Sequence, residues 1–146
     1  MTENKKENLN NRMIKFLFEG APVRGACVQM AEEWQEMIKF HHYPENVAAL
    51  LGQFTAGALL LSSTIKFEGS LILQVKGSGP IAFIYAEVRN PMSVRAMAEI
   101  REGAEIKPEM DLQELINKDG KGLCALILDP KDRRPGVQPY QGMVSL

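Results

Sequence analysis

VAALLGQFTAGALLLSSTIKF, Val47 to Phe67, is the stretch whose reading decides the fold. From Asn46, read as the N-cap, to Thr64 it contains no charge and no proline. A surface helix would show a polar stripe every three to four residues. Here only Gln53, Thr55, Ser62 and Ser63 interrupt the apolar run. The pattern predicts a helix buried on almost every face. Ala48, Gly52 and Ala56 fall at i, i+4, i+8 on one side, with Ala49, Gln53 and Gly57 beside them, so other layers can approach the backbone closely there. Leu50, Leu51, Phe54, Leu59, Leu60 and Leu61 supply bulk elsewhere. About 20 apolar residues would also cross a bilayer, but Gln53 at mid-segment and the character of the remaining chain favour a core helix.

With 146 residues and 45% hydrophobic content, the chain is one domain, or part of one, able to build a substantial core. Seventeen basic residues against eighteen acidic ones leave a net charge of -1, with Lys131, Arg133 and Arg134 as the one basic cluster. Neither nucleic acid nor an anionic membrane is expected as a partner. Cys27 and Cys124 lie far apart without CxxC spacing, which suits a reducing cytoplasm. Residues 1–12 are polar, show no signal peptide and read as a mobile tail.

Met13 to Glu19 and Val23 to Met30 read as strands joined at Gly20-Ala21-Pro22, with Cys27 facing a core or a neighbouring strand. Trp34, Met37, Ile38 and His41 have the spacing of an amphipathic helix over Ala31 to His42, which Pro44 ends. After the long helix, Leu71, Leu73 and Val75 alternate with Ile72, Gln74 and Lys76 in a strand, and Ile81 to Arg89 returns as its antiparallel partner. Ser93 to Ile100 reads as a strand with helix as competitor. Asp111 caps a short helix through Asn117 with Leu112, Leu115 and Ile116 on one side. Leu123 to Leu128 is apolar throughout and is expected to be covered on both faces, and Tyr140 to Leu146 forms a last strand. The tally is an α+β domain, a three-layer β/α/β arrangement with the long helix between mainly antiparallel sheets.

Candidate chemistry is sparse. Cys27 with His41 or His42 would be a nucleophile and base, yet no orienting third group is evident. His41-His42 lacks the i, i+4 spacing of metal ligands and reads as an exposed helix end with one ring partly buried. Gly77-Ser78-Gly79 precedes a strand and so reads as a hairpin turn, not a phosphate loop. Glu32, Glu33 and Glu36 read as a solvated helix face. No catalytic, cofactor-binding or metal residue is assigned, and the chain is not expected to be an enzyme.

FLFEGAPVRGACVQM at Phe16 to Met30, HHYPENVAALLGQFTAGALLLSSTIKFEGSLILQVKGSGPI at His41 to Ile81 and PYQGMVSL at Pro139 to Leu146 resemble the N-terminal part of the 33 kDa chaperonin family, the bacterial redox-regulated heat-shock holdases. The VRG, the YP before the long helix, the KFEG after it, the GxGP turn and the YQG carry the likeness. The resemblance implies an ATP-independent cytoplasmic chaperone that binds unfolding client proteins through exposed apolar surface, forms a homodimer and has a helix layered between sheets. It also implies a C-terminal module in which four cysteines bind zinc and form disulfides on oxidation. Those four cysteines have no counterpart here, so residues 13–146 are expected to be the N-terminal chaperone domain, truncated, without zinc module or switch. The client-binding residues are not identified. The alternatives are an enzyme or small-ligand binder using Cys27 and His41/His42, and a folded but inactive fragment.

Overall fold

The computed structural model describes residues 11–89, 93–132 and 134–146. Its elements run β1 (Asn11–Leu17), β2 (Arg24–Met30), α1 (Glu32–Ile38), α2 (Glu45–Thr64), β3 (Gly69–Lys76), β4 (Ile81–Arg89), β5 (Ser93–Ile100), α3 (Leu112–Ile116), β6 (Leu123–Pro130) and β7 (Tyr140–Ser145). Among the described residues, β1 and β2 form an antiparallel hairpin, and the other strands form a five-stranded sheet in the order β5-β4-β3-β6-β7, antiparallel throughout. Helix α2 touches β3, β4 and β5 on one side and β2 on the other. The expected α+β layering is therefore present, with the hairpin as the smaller outer layer. The expected tail, 1–12, lies outside the described residues except for Asn11 and Arg12, which begin β1.

The inner face of the sheet is written in the alternation of its strands. Leu71 and Val75 of β3, Ile84, Ala86 and Val88 of β4 and Val94 and Ala98 of β5 are buried. They meet α2 in two cores. Val47, Leu50 and Leu51 pack with Val75, Ile81, Ile84 and the α3 residues Leu115 and Ile116. Ala58 and Leu59 pack with Leu71, Ala86 and Val88, reinforced by Met13, Val28 and Met30 from the hairpin and Met37 from α1. Each fully buried leucine here contributes about 1.5–3 kcal/mol relative to exposure. Ser93–Ile100 is a strand despite its alanines and methionine because pairing with β4 turns Val94 and Ala98 into the core.

Three expectations about α2 need correction. The helix starts at Glu45 with Pro44 as N-cap, so Asn46 is not the cap. Asn46 instead donates from Nδ2 to the carbonyls of Lys107 and Met110, tying the helix start to the loop before α3. The helix ends at Thr64, short of Phe67. Nor is it covered all round: Ala49, Gln53 and Leu61 are exposed, because the two-stranded hairpin is too narrow to close that side. Thr55, Ser62 and Ser63 create no polar face, since their hydroxyls donate to the carbonyls of Leu51, Leu59 and Leu60 within the helix. The small-residue stripe does receive a neighbour. A Cβ at Gly52 would lie 3.4 Å from the Trp34 ring of α1.

Elsewhere the structure trims other readings. Strand β6 packs on the cores through Cys124, Leu126 and Leu128, while on its outer face Ala125 is buried, Ile127 half-buried and Leu123 exposed. In α1 the helix stops at Ile38, before His41. The Asp111 cap is present as a capping box with Glu114, and of the expected apolar side Leu115 and Ile116 are buried while Leu112 is exposed. The Gly77-Ser78-Gly79-Pro80 turn is clamped against α3: the Ser78 N–H donates to the Ile116 carbonyl and Arg101 donates to the carbonyls of Gly77 and Gly79. A Cβ on Gly79 would sit 2.6 Å from the Leu115 carbonyl oxygen.

Gly52→Leu is therefore expected to overpack against Trp34 and cost about 1–3 kcal/mol, read as a lower denaturant midpoint. Gly79→Ala is expected to destabilise as well, because the obstructing atoms are backbone. A melt of either variant indistinguishable from the parent would contradict this packing.

Candidate interaction surfaces

The expected site residues do not converge. Cys27 was expected to face a core or a strand; it is exposed, because β2 turns Val28 and Met30 toward α2 and leaves Cys27 on the opposite face of the hairpin. His41 and His42 lie on the loop between α1 and α2, both exposed, so neither ring is partly buried as expected; His41 stacks on Tyr43 with ring centroids 5.0 Å apart. Among the described residues no hydrogen bond joins Cys27 to either histidine. Glu33 departs from the solvated face expected of α1, with Oε2 shielded from water.

Cys124 sits on the inner face of β6, packed against the core, and burial pushes its thiol pKa up. The two thiols thus lie on different sheets and point into different surroundings, so they do not fit a zinc site, which needs thiolates converging at bonding distance. Among the described residues no three His, Cys, Asp or Glu side chains gather closely enough to hold a metal ion.

A cavity of about 650 Å³ opens between β1, the end of α2 and the sheet. Arg12 and Lys15 stand at it, with Met13, Phe67 and Leu71 among its apolar lining. No histidine, cysteine or carboxylate lines it, and its hydroxyls, Ser62 and Ser63, are engaged with helix carbonyls. Among the described residues its charged side chains are Arg12 and Lys15, both cationic.

What the chain does present is apolar surface. On the hairpin, Ile14 and Phe16 of β1 stand on the same outward face as Cys27 and Gly25, their cross-strand partners, and both are 44% exposed. Phe16 lies over Gly25 and meets Phe18 edge to face at 5.8 Å. Leu17 at 81% and Val23 at 50% extend the patch around the turn. A second patch lies at the far end of the five-stranded sheet, where Tyr140, Met143 and Val144 of β7 are each more than 60% exposed and Leu123 of β6 adjoins them. Alternation should leave an outer sheet face polar. The signal for both patches was in the sequence, as apolar residues on both faces of short strands, but only the sheet order shows which face stays uncovered.

On the outer face of the five-stranded sheet, among the described residues, one charge is buried. Glu87 of β4 is 5% exposed, receiving hydrogen bonds from the Tyr85 hydroxyl, Arg89 Nε and Arg95. Burial by itself would raise its pKa, but the hydrogen bonds from Arg95, Tyr85 and Arg89 outweigh it and hold the carboxyl at about 2. Burial, together with the bond to Glu87, pushes the Tyr85 phenol up. A carboxyl held below its unfolded value of 4.5 stabilises the fold above that pH and loses its contribution as pH falls toward about 2. The contribution is on the order of 1–3 kcal/mol, since the arginine partners are themselves exposed. Glu87→Gln is expected to flatten the acid limb of stability between those pH values, measured by denaturant midpoints.

Comparison with known proteins places this architecture. The Hsp33 protein family profile matches residues 11–146. The chain is similar to the 33 kDa chaperonin of Neisseria gonorrhoeae, 39% identical over 137 residues, covering 92% of this chain and 45% of the relative. It is also similar to that of Aliivibrio salmonicida, 38% identical over 137 residues, covering 94% of this chain and 44% of the relative. Among solved structures, a 33 kDa chaperonin (heat shock protein 33 homolog) from Thermotoga maritima shares the fold with a TM-score of 0.68 at 20% identity, over 92% of this chain and 45% of that one. The chain thus spans about half the length of these relatives. On sequence and fold together, it belongs to the Hsp33 family.

Proposed function

We propose that the chain acts as an ATP-independent holdase in the cytoplasm, binding unfolding proteins through apolar surface and so keeping them from aggregating under heat or oxidative stress. The observation that carries this reading is the pair of exposed apolar patches, around Phe16 and Phe18 and around Met143 and Val144. A binder of many clients needs accessible apolar area more than a shaped polar pocket. The related chaperonins support the class of activity. Two apolar patches on one small domain also favour a homodimer, in which one patch is shared between copies.

The redox switch implied by the resemblance finds no residues here. Cys27 is exposed and Cys124 partly buried on another sheet, so neither zinc binding nor a bridge between them is expected. The reading that makes Cys27 a nucleophile gains no support from His41 and His42, which are held on a separate loop.

A client that aggregates on heating, followed by light scattering without nucleotide, tests the reading. The chain is expected to lower the scattering, and Phe16→Ser with Phe18→Ser to weaken that effect with little change in melting. Metal analysis is expected to find no stoichiometric zinc, and peroxide is expected to leave suppression unchanged. Iodoacetamide is expected to label Cys27 well before Cys124. Unchanged aggregation at excess chain would overturn the holdase reading, and a gain on oxidation lost in Cys27→Ser would restore a switch.

A further inference from the structure

The structure assigns an oxidisable modification site to the seam under the β1–β2 hairpin, where Met13, Met30 and Met37 become sulfoxides and the hairpin comes loose from α2. The site is defined by packing and stands apart from the holdase reading.

The hairpin is a separate two-stranded sheet and shares no backbone ladder with the five-stranded one. Side-chain packing therefore carries its attachment. From β1, β2 and α1, the side chains that reach the second core are Met13, Val28, Met30 and Met37, so the seam is held mainly by thioethers. The opposite wall of the same core is aliphatic, with Leu71, Leu73, Ala86, Val88, Leu126 and Leu128 from β3, β4 and β6. Methionine fills irregular gaps through its flexible, unbranched chain, which suits layers that do not interlock. The same choice makes the seam open to oxygen transfer.

Access comes with the packing. All three methionines are half-buried, and each lines a different cavity. Met13 lines one of about 650 Å³, Met30 one of about 350 Å³ beside Trp34, and Met37 one of about 410 Å³ beside Val94. A hypohalous acid is small, uncharged at its acid form and fast with thioethers, whereas hydrogen peroxide is slow with them. The sulfur lone pair takes chlorine from hypochlorous acid and hydroxide departs; water then attacks sulfur and chloride leaves. The net change is thioether and hypochlorous acid to sulfoxide, chloride and one proton, sulfur losing two electrons and chlorine gaining them. Each sulfoxide is a strong hydrogen-bond acceptor placed on a core whose centre, Ala58 and Leu59, offers no side-chain donor. The β1–β2 ladder contains no thioether bond to lose, so the hairpin detaches as a unit and α2 loses that cover.

Hypochlorite titrated onto the 146-residue chain tests this, with peptide mass spectrometry and backbone amide exchange read on the same samples. One added oxygen is expected at each of Met13, Met30 and Met37. A two-stranded hairpin on its own is marginal in water, so the β1 and β2 amides are expected to exchange several-fold faster while those of β3 and β4 hold. Trp34 emission is expected to shift to the red, since its ring shares a cavity with Met30. A chain carrying Met13→Leu, Met30→Leu and Met37→Leu keeps apolar volume without the thioethers, and its hairpin is expected to stay protected through the same titration. Cys27, Met97 and Met143 are exposed in both chains, so the difference between them belongs to the seam. Three results would each overturn the proposal: seam methionines left intact at doses that convert Met143, sulfoxides there with unchanged exchange, or a leucine variant that loosens as far as the parent. Should the leucine variant fail to fold, the parent decides: hairpin exchange is expected to rise with sulfoxide at the three seam positions, and a rise that follows Cys27 oxidation instead overturns the site.

Discussion

The packing of α2 on the inner face of β3, β4 and β5 is the constraint on which the rest of this structure depends. Val47, Leu51 and Leu59 lose essentially all contact with water there, and the strands that receive them have no other layer to bury their apolar side. A helix this apolar must be covered, and a sheet with this alternation must cover something. By length and composition α2 would also suit a bilayer, but in this fold Leu50, Leu51 and Leu59 pack into the two cores. The side hydroxyls that could have spoiled the interface are turned back onto the helix's own carbonyls.

Once that interface is set, the peripheral elements follow from what it leaves open. Trp34 of α1 fills the space over Gly52, and the hairpin lays Met13, Val28 and Met30 over the second half of the helix. Asn46 and the clamped Gly77–Pro80 turn bring the α3 region onto the first half, where Leu115 and Ile116 complete the core. The tightest of these approaches is the turn, where a Cβ on Gly79 would meet the α3 backbone.

The same arrangement explains where the surface is apolar. Two strands cannot close over a helix of this length, and a five-stranded sheet with a layer on one face leaves the other to solvent. The hairpin's outward face and the β7 end are thus exposed because their layers end there. In contrast, Glu87, a carboxylate drawn into the outer face, is held by Arg89, Arg95 and Tyr85, so that it stays charged and that part of the face stays polar.

Local pattern was enough to determine the elements: the unbroken run from Val47, the alternation of Leu71, Leu73 and Val75, the Asp111 cap and the paired glycines of the β3–β4 turn all act through neighbours a few residues away. The family was legible too, since its motifs recur in order. Tertiary structure decided what depends on distant partners. Asn46 looked like a cap because caps are read from the adjacent residues, but its amide is claimed by Lys107 and Met110, some sixty positions on. Cys27 looked buried because its strand is apolar on both faces, and only the placement of α2 against Val28 and Met30 shows that the thiol faces out.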